Sequence, residues 1–438
     1  VSNRKHHAGA DEVPPIDLHA LVRELFPINR SLTGAGVRET LAILARYIRL
    51  EIREVPSGTA VLDWHVPLEW SIRSATIKTL DGRCLVDFAN SNLHVVGYSK
   101  SFHGVVSRAE LARHVHTLPD QPGLIPYRTG YYADDWGFCL TDDLWRTMQD
   151  DSYLVDIDSD LSSGSLAYGE FFLPGEVPDE VLITAHICHP SLANDNLSGI
   201  AVAVALAMRQ GQLGSRLGFR VLFLPATIGA ISWLARNEDH LEKIRYGLVL
   251  TCLGDSGGFH YKQSRSGASI DDAVAHVLRH SGHPHDIMAF DPYGYDERQF
   301  CSPAFDLPVG CLMRSVHGTF PEYHTSADDL DFVKPDALDR SYAVIATLLD
   351  LLNANRTYIR IDGRGEPQLG RRGLYRAIAG QKEAGGASQM DLLWVLNLAD
   401  GRHSLLEMAD RSGTPFSRIQ KAARLALDAK LIRDVGRA

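Results

Sequence analysis

No stretch of this 438-residue chain approaches the roughly 20 consecutive apolar residues of a membrane-spanning helix, so no membrane span is expected. The opening residues VSNRKHHAGADEVPP hold no apolar core of the signal-peptide kind, and a cytoplasmic setting is expected. Cysteine is sparse and unpaired: Cys84, Cys139, Cys188, Cys252, Cys301 and Cys311 stand singly, without a CxxC knuckle or the density of a disulfide scaffold. Positive charge is also in deficit. Forty-four Lys and Arg against 54 Asp and Glu leave a formal charge of −10, which disfavours adhesion of the whole chain to nucleic acid or anionic membrane. With 45% hydrophobic and 22% charged residues, what remains is a globular protein, long enough for two or three units and one extensive core.

The chain changes texture along its length. From Pro15 to Leu50, LHALVRELF and the stretch from Val37 repeat apolar positions at helical spacing, joined by PINRSLTGAG. Residues 55–139 carry short alternating pieces, SIRSATIKTL and RCLVDFA, broken by turn residues, and read as a β-rich insertion. After Ser152 buried-type strands alternate with helices: EVLITAH, IAVAVALAMRQ, FRVLFLP, ISWLARN, YGLVLTCL, DDAVAHVLRH, LPVGCLM and a helix near Pro335 to Asn353. That pattern predicts an α/β domain of residues 15–54 and 140–362 around a mostly parallel sheet covered by helices on both faces. Residues 363–387 read as a Gly- and Arg-rich linker. Residues 388–438 suggest three short helices resembling a winged-helix domain. That segment holds eight Lys or Arg against six Asp or Glu, a net of +2, so a solvated helix face is expected rather than DNA contact.

In parallel sheets, ligands sit beyond the carboxyl ends of strands, and that rule selects the candidate residues. His186 ends the run VLITA, Asp195 follows nine positions later in ICHPSLANDNLSGI, and His324 stands in PEYHTSADD after another apolar strand. Imidazole and carboxylate together suit zinc. Taken singly, a strand-end His is a capped structural residue and Asp195 a helix cap; their joint occurrence is what points to a metal site. His189 forms HxxH with His186, but in a loop closed by Pro190 rather than on an HExxH helix, and is expected to face substrate or support a ligand. Asp255 in GDSGG either completes the coordination or makes a turn. Asp328 is expected to support a ligand or cap a helix, and Asp296, Glu297 and Glu322 are acidic groups able to receive an amino terminus. Arg298 and Arg30 would hold a carboxylate or a loop.

These segments resemble the zinc aminopeptidases, whose relatives include glutamate carboxypeptidases and glutaminyl cyclases. HICHPSLANDNLSG looks like their strand-end His and Asp-Asn-x-x-Gly segment, and YHTSADDLDF like their closing His-Thr element. LFPINRSLTGAGVRETL, YGYDERQFCSP and LPVGCLMRS are similar to a bacterial aminopeptidase-like branch of unknown function with a C-terminal winged helix. The resemblance implies zinc-dependent hydrolysis of a peptide-like amide beside a free amino group, with a Glu after the strand FRVLFLP carrying the proton. There the chain departs from the pattern: it reads PATIG where PETIG is expected, so Ala226 stands at the general-base position. Thr227 stands where two-metal members have a further Glu ligand, which favours one zinc over two.

The expectation is therefore a metallo-aminopeptidase-like enzyme inactivated at Ala226, acting on a small peptide or amino-acid conjugate, with homo-oligomerisation open. The alternatives are a catalytically dead sensor of amino compounds and a glutaminyl-cyclase-like transferase.

Overall fold

The computed structural model describes residues 13–374 and 387–436. They fall into two compact units, Val13–Asp271 with Pro284–Tyr342, and Asp272–His283 with the described part of Ala343–Ala438. Among the described residues no helix is long and apolar enough to cross a membrane.

The first unit is built on eight strands: β1 (Glu51–Pro56), β2 (Ser165–Leu173), β3 (Glu180–His186), β4 (Gly218–Leu224), β5 (Ile244–Leu250), β6 (Phe259–Lys262), β7 (His285–Met288) and β8 (Val309–Met313). Their order across the sheet is β1-β2-β4-β3-β5-β8-β6-β7. The four central strands, β4, β3, β5 and β8, run parallel, whereas β1 and β2 pair antiparallel at one edge and β6 runs against β8. Every residue of β3 is buried, the pattern of a strand covered on both faces. Each fully buried Val, Leu or Ile along it contributes roughly 1.5–3 kcal/mol of apolar burial.

Helices α1 (Leu18–Leu25) and α2 (Ala35–Leu44) precede the sheet. In α1, Leu18, Leu21, Val22 and Leu25 form one buried stripe, and the Asp17 side chain caps the first turn by accepting from the Ala20 amide at 2.9 Å. Helix α3 (Gly199–Leu213) is buried almost all round its first three turns, as IAVAVALA requires, and packs on β3 and β4. Helix α4 (Ile228–Arg236) follows β4.

The β-rich segment forms a four-stranded antiparallel sheet in the order Cys84–Asp87, Glu69–Lys78, Ser152–Ser162, Phe102–Ser107. Its longest strand, Ser152–Ser162, lies beyond the 55–139 boundary expected from composition. The ladder from Glu69↔Ser162 to Lys78↔Leu154 draws it in, a pairing across some eighty residues that local patterning does not reveal.

In the second unit, helices α5 (Ser269–His280) and α7 (Pro335–Ala354) enter from the first; the short helix α6 (Glu297–Phe300) belongs to the first unit. The strands Asp400–Ser404, Thr357–Arg360 and Ile432–Asp434 form a small antiparallel sheet in that order, beside α8 (Gln389–Leu398), α9 (Leu405–Ser412) and α10 (Phe416–Asp428). Capping boxes at Ser388/Asp391 and Ser404/Glu407 start α8 and α9. The strand Thr357–Arg360, read from sequence as the tail of the α/β domain, pairs here because its partners lie far downstream. Most of the expected linker, residues 375–386, lies outside the described residues.

Candidate metal centre

Strand β3 delivers His186 to the carboxyl edge of the parallel sheet, in register with Leu224 of β4. The chain then loops through Ala193–Ser198 into α3. That loop is stitched to neighbouring strand ends by side chains. Asn196 Nδ2 donates to the Leu250 carbonyl at 2.9 Å, the Leu253 amide to Ser198 Oγ at 2.9 Å, and the Gly254 amide to Asn194 Oδ1 at 2.8 Å. Gly199 permits the close approach: a methyl there would collide with the Asn196 amide group and the Leu250 carbonyl. Gly199→Ala is therefore expected to cost about 1–3 kcal/mol through overpacking, read as a lowered urea midpoint with unchanged m-value. An unshifted midpoint would show that the loop relaxes freely.

Fully buried Asp195 is the hub. Its Oδ1 lies 2.8 Å from His186 Nε2, and its Oδ2 lies 3.0 Å from His324 Nε2 and 3.3 Å from His189 Nδ1. Asp328, which is also fully buried, accepts from the main-chain amides of Asn194 and Asp195 at 2.6 and 3.0 Å, holding the loop. Burial pushes the Asp328 carboxyl up to about 7 against those two donors. Burial likewise works against ionisation of Asp195, but the His189 and His186 charges hold its carboxyl well below the usual range. Burial lowers His186. It also acts to lower His189, yet Asp195 overcomes it there, because His189 meets both the carboxylate and, at 3.1 Å, the Asp195 main-chain carbonyl.

The aromatic surround was not singled out from sequence. Tyr295 stacks on His186 (centroids 4.8 Å, 16°), Tyr323 stacks on His324 (4.0 Å, 11°), and the two hydroxyls meet at 3.2 Å. Tyr127, from the β-rich insertion, sets its ring against His189 and His324 at 5.0 and 5.1 Å, and its amide donates to the His324 carbonyl at 2.8 Å. That bond helps hold His324 at φ +53°, a left-handed conformation costly for a side-chain-bearing residue and found at ligand sites. The clustering of Tyr in YRTGYY and YGY was the available signal, but tyrosine is ordinary core material and carries no spacing rule.

The structure brings His186, Asp195, His324 and His189 together; the last lies 3.3 Å from the carboxylate, against 2.8 and 3.0 Å for His186 and His324. Asp255 is not in this cluster. Its oxygens accept from Asn194 Nδ2 at 2.9 Å, the Gly257 amide at 2.7 Å and Ser315 Oγ at 2.7 Å, so it positions the Asn194–Asp195 loop instead. Arg30 is buried and donates through Nε to the His189 carbonyl at 2.9 Å and through Nη1 to Leu25 at 2.6 Å; it holds a loop. Asp296 and Glu297 are fully buried, Arg298 is exposed, and Glu322 is half-buried two residues before His324. Ala226 lies two residues past Leu224, and its carbonyl faces the Cys188 thiol at 3.8 Å. No side chain there can carry a proton.

Among the described residues, His186, His189 and Asp195 form a group whose ligand atoms lie within 4.8 Å of one another. Zinc takes imidazole nitrogen and carboxylate oxygen in four-coordinate sites, and a buried carboxylate touched by three imidazoles offers that donor set.

Comparison with known proteins bears on the family and the fold that carry this site. Residues 19–355 match the family described as Domain of unknown function (DUF4910), and residues 356–434 a winged helix-turn-helix family. A Clostridium acetobutylicum protein, provisionally named a polysaccharide biosynthesis protein with an aminopeptidase-like domain, is 46% identical over 418 residues, 95% of this chain and 96% of that one. The crystal structure of a provisionally named peptidase from Clostridium acetobutylicum superposes with a TM-score of 0.90 at 44% identity, covering 95% of this chain and 96% of that one. BSAP, a zinc aminopeptidase from Bacillus subtilis, shares the fold at a TM-score of 0.56 and 11% identity, over 79% of this chain and 95% of its own.

Proposed function

The chain belongs to the family described as Domain of unknown function (DUF4910), followed by a winged helix-turn-helix, and from that premise we propose that it binds one zinc ion through His186, Asp195 and His324 at a site built to hydrolyse a peptide-like amide beside a free amino group. The observation that carries this reading is the convergence of imidazoles on one buried carboxylate, Asp195, at the carboxyl ends of parallel strands. Zinc in such a site supplies Lewis acidity to the scissile carbonyl and to water. Asp195 and the two imidazoles hold the ion, Asp328 and Asp255 hold the loop that carries Asp195, and Tyr295 and Tyr323 fix the rings of His186 and His324. His189, with Nδ1 engaged by the Asp195 carbonyl, is assigned to support rather than ligation. With Asp255 committed to the loop and Thr227 offering no carboxylate, one ion suits the site better than two. The proton step lacks its carrier at Ala226, so the present chain binds substrate and turns it over slowly.

The name of the Clostridium relative suggests a substrate class: an amino-acid conjugate of a saccharide supplies both the free amino group and a place in polysaccharide synthesis. The six free thiols suit a reducing, cytoplasmic setting. Zinc analysis and introduction of Glu at position 226 test the reading.

The winged-helix unit is assigned to contacts within the protein rather than to DNA. In DNA-reading helix-turn-helix domains the N-terminal end of the recognition helix meets the bases. Here that end of α10 is engaged within its own unit: the Phe416 amide donates to His276 Nε2 at 3.0 Å, and His276 Nδ1 and Arg279 Nη1 reach Asp410 at 2.8 and 2.9 Å. Arg418 is held by Asp391 at 2.9 Å. The full chain should leave a 20-base-pair duplex unshifted at micromolar protein and 50 mM salt. Tight binding that weakens steeply with salt would favour a DNA-binding sensor.

A further inference from the structure

Beside the metal centre, the segment YGYDER buries two adjacent carboxyl groups, Asp296 and Glu297, and of the two only Glu297 makes a direct ion pair. Glu297 Oε1 contacts Lys262 Nζ, and the same ammonium donates to the main-chain carbonyls of Asp291 at 3.2 Å and Tyr293 at 2.8 Å. Those three acceptors use all three N–H groups that a lysine has, so Lys262 has none left for Asp296. Oδ1 of Asp296 is buried without a hydrogen-bond partner, and so is Oε2 of Glu297. Asp296 itself is 1% exposed and its nearest basic neighbour in sequence, Arg298, is exposed to solvent. A buried carboxyl without a partner is costly, and such groups stand out at ligand sites.

Its position suits a ligand group. Tyr295, the preceding residue, lies flat on His186, and at Asp296 the more distant charges of Arg298 and then His189 favour the ionised carboxyl. Burial, and then Glu297, push the Asp296 carboxyl up to about 7, so an incoming cation would stabilise its charged form.

We propose that Asp296 receives the ammonium group of the substrate, setting the requirement for a free amino group next to the scissile amide. This rests on the amidase reading and names the residue that selects its substrates. Glu297 is paired with Lys262, which leaves Asp296 as the carboxyl of the two without an ion-pair partner and open to a ligand cation.

The test compares binding to the zinc-loaded full chain of the amides of Gly, Leu, Phe, Glu and Lys with binding of their Nα-acetylated twins, by calorimetry. At least one free-amine amide should bind tenfold or more tighter than its twin. Asp296→Asn should remove that preference while zinc content, thermal midpoint and affinity for the acetylated twin stay as they were, with Asp296→Ser as a second variant should the Asn form prove unstable. No preference for any free amine in the unaltered chain overturns the proposal, and so does a preference that survives in both variants, which would move the amino group to another partner. The amidase reading stands or falls separately, on zinc content and on hydrolysis by the Ala226→Glu form.

Discussion

Replacing Ala226 with Glu should raise amide hydrolysis by about 10²–10⁴-fold, the usual contribution of a positioned general acid-base group. Strand β4 ends beside β3 with Leu224 opposite His186, so a side chain two residues further on starts from the same sheet edge as the Asp195 cluster. A Glu at 226 would extend a carboxyl from that edge, a role for which Cys188 is no substitute: burial pushes its thiol up to about 12. The measurement is kcat on a panel of aminoacyl amides and dipeptides, for the present chain and the Ala226→Glu form at matched zinc content. Silence of both forms across the panel while amides still bind would hand the site to the sensor reading. Equal, appreciable rates in both would mean that another residue already carries the proton.

Removing two imidazoles should abolish metal binding. Wild-type protein, stripped and reconstituted, is expected to hold about one zinc per chain, and the His186→Ala, His324→Ala double variant essentially none. His189→Ala should bind zinc about 10–100-fold more weakly, the usual loss when a supporting contact to a ligand is removed. Zinc bound only to the folded state also stabilises it: at 100 to 1,000 times Kd the gain is about 2.7–4.1 kcal/mol. A chelator should therefore lower the thermal midpoint of wild-type protein and leave that of the double variant unmoved. Full zinc retention by the double variant rejects the ligand set, and loss in His189→Ala as complete as in the double variant makes His189 a ligand.

Much of the core of the α/β unit was legible because the signal is local. VLITA, VLFL and GLVL are continuous apolar runs that only a strand buried on both faces accommodates, and each lies in a central parallel strand, β3, β4 or β5. A residue at the end of such a run has to emerge at the sheet edge, which is why His186 and Ala226 could be placed beside one another before any coordinates. Asp255 shows where this reasoning stops. It too follows a strand, yet Asn194 and Ser315 claim its oxygens. Both partners come from other loops, and nothing near GDSGG announces them.

The sequence by itself determined the parallel α/β core, the winged-helix ending, the strand ends that carry His186 and Ala226, and the absence of a proton-carrying side chain at position 226. Only the tertiary structure decided that His189 joins the cluster, that Tyr127 of the insertion braces His324, that Asp255 and Asp328 hold a loop, that Ser152–Ser162 and Thr357–Arg360 pair away from their neighbours in sequence, and that His276 occupies the start of α10. The physical reason is range. Apolar periodicity and turn chemistry act over a few residues and are written where they act, whereas the partner of a buried carboxylate or a strand edge is set by which distant loops the packed core brings within three ångströms of it.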